Sequence, residues 1–276
     1  MVVAISAAAI VAGDRPPPTE SPGAELAQRL ATAVEPARFA LTYRRGGTRV
    51  LDCVLPDTEY SAEVDAKGGR MAIRSEGPDA TVTVVRAGDD IYLHRSLVGN
   101  PPSARAWLRI ARPADAGSAA LLRRVLGADL ARDVGGDRLP ASGRAVAVEA
   151  LGVAASVERL GDATVAGAPV ERFRITVDPP RFRQAARAPG ADPPSDQELV
   201  PVFDLWLDRM ADVVKVAISS VQAGGGSAAP EVGWSIEYRR LEALDIAVPP
   251  PNEVADIAQV DAAQISPDPS ACRLPS

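Results

Sequence analysis

The stretch Val157–Val177, VERLGDATVAGAPVERFRITV, decides the fold class. Apolar and polar residues alternate on both sides of two small-residue breaks, Gly161-Asp162 and Gly167. Alternation with period two puts one side chain in and the next out, as in a strand with one covered face. Gly at the breaks supplies turn conformations. The stretch therefore predicts strand, turn, strand, turn, strand, all antiparallel neighbours.

The same pattern appears twice more. Upstream, Phe39, Leu41 and Tyr43 alternate, as do Tyr60, Ala62 and Val64; Val50–Leu55 resumes a strand, and Gly68-Gly69, Gly77-Pro78 and Gly88-Asp89-Asp90 punctuate Met71, Ile73, Val82, Val84, Ile91 and Leu93. Downstream, Val202–Leu207, Val213–Val221, Trp234–Tyr238 and Leu244–Val248 read as strands, with Gly224-Gly225-Gly226 at a hairpin tip. Between the meanders the period changes to helical. Leu122, Val125, Leu126 and Leu130 lie on a helix over Asp115–Arg132, and Val146–Ala154 is read as a second. Leu26, Leu30 and Val34 mark an amphipathic helix over Glu25–Val34, ended by Pro36. About ten strands flank a helical segment, which is α+β with an antiparallel sheet.

The N-terminus reads as an export signal. Val2–Ala12 is an eleven-residue apolar run, too short to span a bilayer and of h-region length. Residues 1–13 are thus signal-like, 14–24 a Pro-rich linker, 25–257 a single domain, and 258–276 a loose tail. Val11-Ala12-Gly13 ends as a lipoprotein signal would, but Asp14 stands where the acylated Cys belongs. The expected location is the cell envelope or the exterior, without acylation at that position. In an exported chain Cys53 and Cys272 favour a disulfide; two free thiols are the alternative.

Several functions lack support. The net charge is −6 and only 4% of residues are aromatic, so nucleic acid finds neither a basic patch nor stacking platforms. The single histidine, His94, lies on a strand facing away from Leu93 and reads as a surface residue. No nucleophile elbow surrounds Ser142 or Ser156, and Asp89, Asp90, Asp162 and Asp208 read as turn residues. No catalytic residue, metal site or cofactor is expected.

Three groups of residues carry a family resemblance. Leu160–Phe173 resembles the turn-strand-turn-strand signature of the actinobacterial LppX/LprG lipoproteins. So do Leu205-Trp206-Leu207-Asp208 with Val213-Val214-Lys215-Val216, and Tyr238 followed by Pro249-Pro250-Pro251-Asn252-Glu253-Val254. Trp107 falls in the matching order of elements, and the resemblance runs from Glu25 to Ile257. It implies a curved antiparallel half-barrel sheet wrapped around a few helices, similar to the LolA and LolB carriers. It also implies a non-enzymatic protein that holds acyl chains of a lipid, lipoglycan or lipoprotein in an apolar cavity of the envelope. An envelope sensor of the same fold, binding a protein partner without cargo, is the alternative, and peripheral membrane contact fits either.

Strand alternation then supplies the expected cavity lining: Phe39, Leu41, Val82, Val84, Ile91 and Leu93 from the first meander, Leu122, Val125 and Leu126 from the helix, and Phe173, Ile175, Leu205 and Leu207 from the second. Core packing uses the same residues by the same physics.

Overall fold

The computed structural model describes residues 22–45, 48–50, 53–55, 58–74, 82–97, 105–111, 116–186, 199–222 and 231–256. In chain order the elements are α1 (Pro22–Thr32), β1 (Arg38–Arg45), β2 (Thr48–Val50), β3 (Cys53–Leu55), β4 (Thr58–Asp65), β5 (Arg70–Arg74), β6 (Val82–Ala87), β7 (Asp90–His94), β8 (Trp107–Ala111), α2 (Ala116–Gly135), α3 (Gly143–Gly152), β9 (Ala154–Val165), β10 (Ala168–Val177), α4 (Pro179–Ala186), β11 (Leu199–Leu207), β12 (Val213–Gln222), β13 (Glu231–Arg240) and β14 (Val254–Asp256). Twelve strands belong to a large open sheet, and β2 and β3 form a separate hairpin. All registered pairs are antiparallel except β14 on β8. The expected open antiparallel architecture with a few helices holds, with twelve strands rather than about ten.

The chain divides into two compact units. Unit 1 is Met1–Glu35, Arg44–Gly46 and Ala141–Tyr238; unit 2 is Pro36–Tyr43, Gly47–Pro140 and Arg239–Ser276. Each is described by itself.

Unit 1 carries the strand order β13-β12-β11-β10-β9. Its inner rows are Phe173–Leu205–Val216–Ile236 and Ile175–Phe203–Ile218–Trp234. Helices α1 and α3 pack against one another and over β9, β10 and β12. Ser142 caps α3, its Oγ accepting from Ala145 N–H at 3.1 Å. Gly143 is required at that helix start: a Cβ there would lie 2.8 Å from the Val213 carbonyl oxygen and 2.9 Å from the Tyr238 ring. The opposite face is polar. Arg174 grips Asp204 through Nε to Oδ1 (2.8 Å) and Nη2 to Oδ2 (3.0 Å), and Arg172 Nη2 donates to the same Oδ2 at 2.5 Å. Arg172 and Lys215 lie over the Trp206 ring, and Lys215 pairs with Glu237. Burial pushes the Asp204 carboxyl up, and the hydrogen bonds and charges of Arg174 and Arg172 outweigh it, leaving the carboxyl below its ordinary value.

Unit 2 carries the order β14-β8-β7-β6-β5-β4-β1. One of its faces is apolar, and the other carries an apolar row between charged neighbours. One presents Met71, Ile73, Val84, Ile91, Leu93, Leu108 and Ile110. The other presents the row Ala72–Val85–Tyr92, which is covered by Leu244 and Ile246. These two come from a strap, residues 241–250, that leaves β1 where Leu241 N–H donates to Arg38 O. The strap passes β5, where Arg70 Nη1 donates to Ile246 O at 3.1 Å, and delivers β14 to β8. Six strand spacings span about 29 Å and ten extended residues about 33 Å, so the strap is just long enough.

Three local expectations are corrected here. Gly161-Asp162 is not a turn: β9 continues through it as a bulge, with Gly161 at φ +97°. A bulge and a turn share the same glycine requirement. Val50–Leu55 is not one strand: Val50 ends β2, and Cys53–Leu55 is β3, paired antiparallel with β2. Leu244–Val248 is not a strand but part of the strap, whose apolar residues cover a face instead of joining a ladder. Helix α2 is also not straight. A Cβ on Gly135 would lie 3.4 Å from Leu122 Cδ1, whereas a straight helix would separate these residues by about 20 Å. The Gly224-Gly225-Gly226 tip, the signal-like segment, most of the linker and Cys272 lie outside the described residues.

Candidate functional site

The candidate site is the helix-covered apolar face of each unit. In unit 1, Phe173, Ile175, Leu205 and Leu207 are fully buried beside Leu26 and Leu30 of α1 and Ala147 and Ala150 of α3. Arg29 of α1 closes the rim. Its guanidinium lies 5.7 Å from the Phe173 ring centroid, pairs with Glu171, and donates to Asp208 O at 3.3 Å. Glu171 also pairs with Arg159 of β9. A half-buried carboxylate between two guanidinium groups pins α1 to the sheet.

Covering is incomplete further along that face. Ile218, Trp234 and Ile236 continue the same inner rows but stay half-buried. The expected lining leaves them out, although Trp234-Ser235-Ile236-Glu237-Tyr238 alternates cleanly as a strand.

In unit 2, Phe39, Leu41, Val84, Ile91, Leu93 and Leu122 are at most 2% exposed. Val82 departs from Val84: a register shift between Ile73 and Arg74 turns it to pack against the Ala72–Val85–Tyr92 row on the other face. On α2, Leu121, Leu122 and Val134 are buried while Val125 and Leu126 are half-buried. The helix is therefore apolar on a seated side and on a side that solvent partly reaches.

Two polar anchors seat α2. Arg86 is buried among Met71, Val84 and Ile91, and its Nη1 donates to Val134 O (3.3 Å) and Arg138 O (3.0 Å) at the helix end. A cation there satisfies terminal carbonyls and meets the negative end of the dipole. Tyr60 donates to Asp133 and stacks on Tyr43 with ring centroids 5.0 Å apart. Nothing in VTVVRAGDD marks Arg86 as buried, since an arginine at a strand end ordinarily faces solvent.

His94 is half-buried, bonded to Ser96 Oγ at 2.8 Å and set edge-on to Trp107. Among the described residues no cluster of three His, Cys, Asp or Glu side chains could hold a metal, and no helix is long and apolar enough to cross a membrane.

No protein-family model matches this sequence, and no curated protein does. Solved structures do. The chain is similar to the lipoprotein LppX of Mycobacterium tuberculosis, with 14% identity and a TM-score of 0.38 over 82% of this chain and 96% of that one. It is similar to LprF of Mycobacterium bovis, with 15% identity and a TM-score of 0.43 over 84% and 99%. A LolA superfamily protein of Nitrosomonas europaea follows, with 12% identity and a TM-score of 0.27 over 80% and 94%. These likenesses are likenesses of fold alone.

Proposed function

We propose that this chain is an exported carrier that holds acyl chains of a lipid, lipoglycan or lipoprotein against the inner apolar faces of its sheet. The observation that carries the reading is the half-buried strip Ile218, Trp234 and Ile236. These are large apolar side chains on a face whose neighbouring columns are sealed by α1 and α3, and an extended hydrocarbon chain would complete that cover. Each methylene taken out of water there is worth about 0.8 kcal/mol. The half-buried Val125 and Leu126 offer a second surface of the same kind on α2. No cofactor enters this reading.

The test is native mass spectrometry of the protein purified from its own host, followed by lipid extraction. The expected result is a stoichiometric acyl-bearing ligand, with Trp234→Asp lowering its occupancy. Protein that carries no lipid and takes none up in vitro would overturn the reading.

A second reading keeps the fold and drops the cargo: an envelope sensor that binds a protein partner. The near-complete burial of Phe39, Leu41, Ile91, Phe173 and Leu205 favours it, because a packed face needs no ligand. Either reading places the protein outside the cytoplasm. A mature N-terminus at or beyond Asp14, read by N-terminal sequencing of secreted protein, is the expected outcome, and an intact Met1 in the cytosol contradicts it.

A further inference from the structure

The turn Asp208–Asp212, between β11 and β12, is held by a dense set of hydrogen bonds. Asp208 N–H donates to Asp212 O at 3.0 Å, and Ala211 N–H donates to Asp208 O at 3.1 Å. The Asp208 carboxylate accepts from Met210 N–H at 2.8 Å and Asp212 N–H at 2.9 Å. Ala211 is held at φ +62°, left-handed backbone that a residue with a Cβ adopts at a cost. Arg29 then ties the turn to α1 through Asp208 O.

What this rigid turn presents is unusual. Met210 is 78% exposed, the most exposed large hydrophobic side chain among the described residues. Beside it Arg209 is exposed and makes no hydrogen bond or ion pair among them. The next most exposed is Val34 at 70%, just past the end of α1. Glu35, its neighbour, bonds Ser142 and Arg144 at the start of α3, and Gly143 abuts Val213, the first residue after the turn. The two most exposed apolar side chains therefore share one end of unit 1.

We infer that this end, with the Arg209–Met210 tip at its apex, docks on a phospholipid surface. The chemistry is matched side by side: the guanidinium meets a lipid phosphate while the thioether enters the acyl boundary beneath it. The hydrogen-bonded turn fixes the backbone that carries both side chains, so only the side chains themselves are ordered on contact. One or two apolar side chains give weak, reversible docking, which suits a protein that visits a bilayer. The inference rests on the carrier reading only for its purpose; its geometry stands apart from any cargo.

The test is co-flotation of the full chain with vesicles of phosphatidylcholine and phosphatidylglycerol at 7:3, beside vesicles of phosphatidylcholine alone. Wild type is expected to float with the mixed vesicles. Met210→Asp should lower the bound fraction about fivefold, Arg209→Glu should lower it chiefly on the anionic vesicles, and Met210→Leu should retain it. The side chains are exposed, so an unchanged melting temperature is expected for all three. Equal flotation of wild type and Met210→Asp, or flotation of neither, overturns the inference. So does a concentration-dependent dimer that Met210→Asp abolishes, which would assign the tip to a second copy. Lipid occupancy measured on the same samples keeps the two readings apart: a loaded protein that does not float refutes only the docking.

Discussion

Unit 1 and unit 2 solve the same covering problem differently. Each has a sheet face lined with large aliphatic side chains and a helix seated on it. In unit 1 the other face carries arginines, carboxylates and Trp206 in ladders that partly cover Val170, Val202 and Asp204. In unit 2 the other face carries a central apolar row, Ala72–Val85–Tyr92, and a strap of ten residues covers it. A sheet with one wet face holds itself together through cross-strand ion pairs worth little each. A sheet with two dry faces depends on its cover, so damage to unit 2 should cost more.

The largest effect is expected at Arg86. Arg86→Met removes the donor to Val134 O and Arg138 O, leaves both carbonyls with fewer partners, and should cost about 3 kcal/mol in urea unfolding. Ile246→Ala lifts the strap from Ala72, Val85 and Tyr92 and should cost about 2 kcal/mol by the same measurement. In unit 1, Asp204→Asn should cost only about 1 kcal/mol, because Arg172 and Arg174 also reach solvent. Asp204 also makes a pH signature. Its folded-state value lies below the unfolded one, so its contribution is fully present above the ordinary carboxylate range and fades as pH falls through it. Wild type should lose part of its stability advantage over Asp204→Asn between about pH 5 and pH 3. The smallest effect is Gly161→Ala. Nothing lies within 4 Å of the added Cβ, so only the positive φ resists it, at about 1 kcal/mol or below. Should Asp204→Asn prove costlier than Ile246→Ala, the contrast between wet and dry faces fails.

Period-two alternation made most strands readable, because one covered face per strand is enough to write the pattern. It misled where an apolar run covers a face instead of joining a ladder. The run at Leu244–Val248 is apolar and strand-like, yet it lies flat on a face; only the three-dimensional position of the strap tells the two apart. Gly161 illustrates a second limit, since a bulge and a turn ask for the same residue. Of the expected lining, Phe173, Leu205, Ile91 and Leu93 lie on helix-facing rows, as alternation required. Val82 was shifted off its row by a register change that no residue in the strand announces. Arg86 and Tyr60 were invisible for another reason: their partners on α2 are 48 and 73 residues away.

The strap has a consequence for how the chain is made. Arg70 waits for Ile246, a partner 176 residues later, and β8 acquires its outer neighbour only from residues 254–256. Contacts so distant in sequence form late and slowly. Unit 2 begins at Pro36 but cannot close its second dry face until nearly the whole polypeptide has emerged. A chain emerging from its N-terminus onward would present Ala72, Val85 and Tyr92 bare until residues 244–246 arrive. A deletion beginning at Leu241 should therefore trap unit 2 as an aggregation-prone species at birth rather than merely lower its melting temperature.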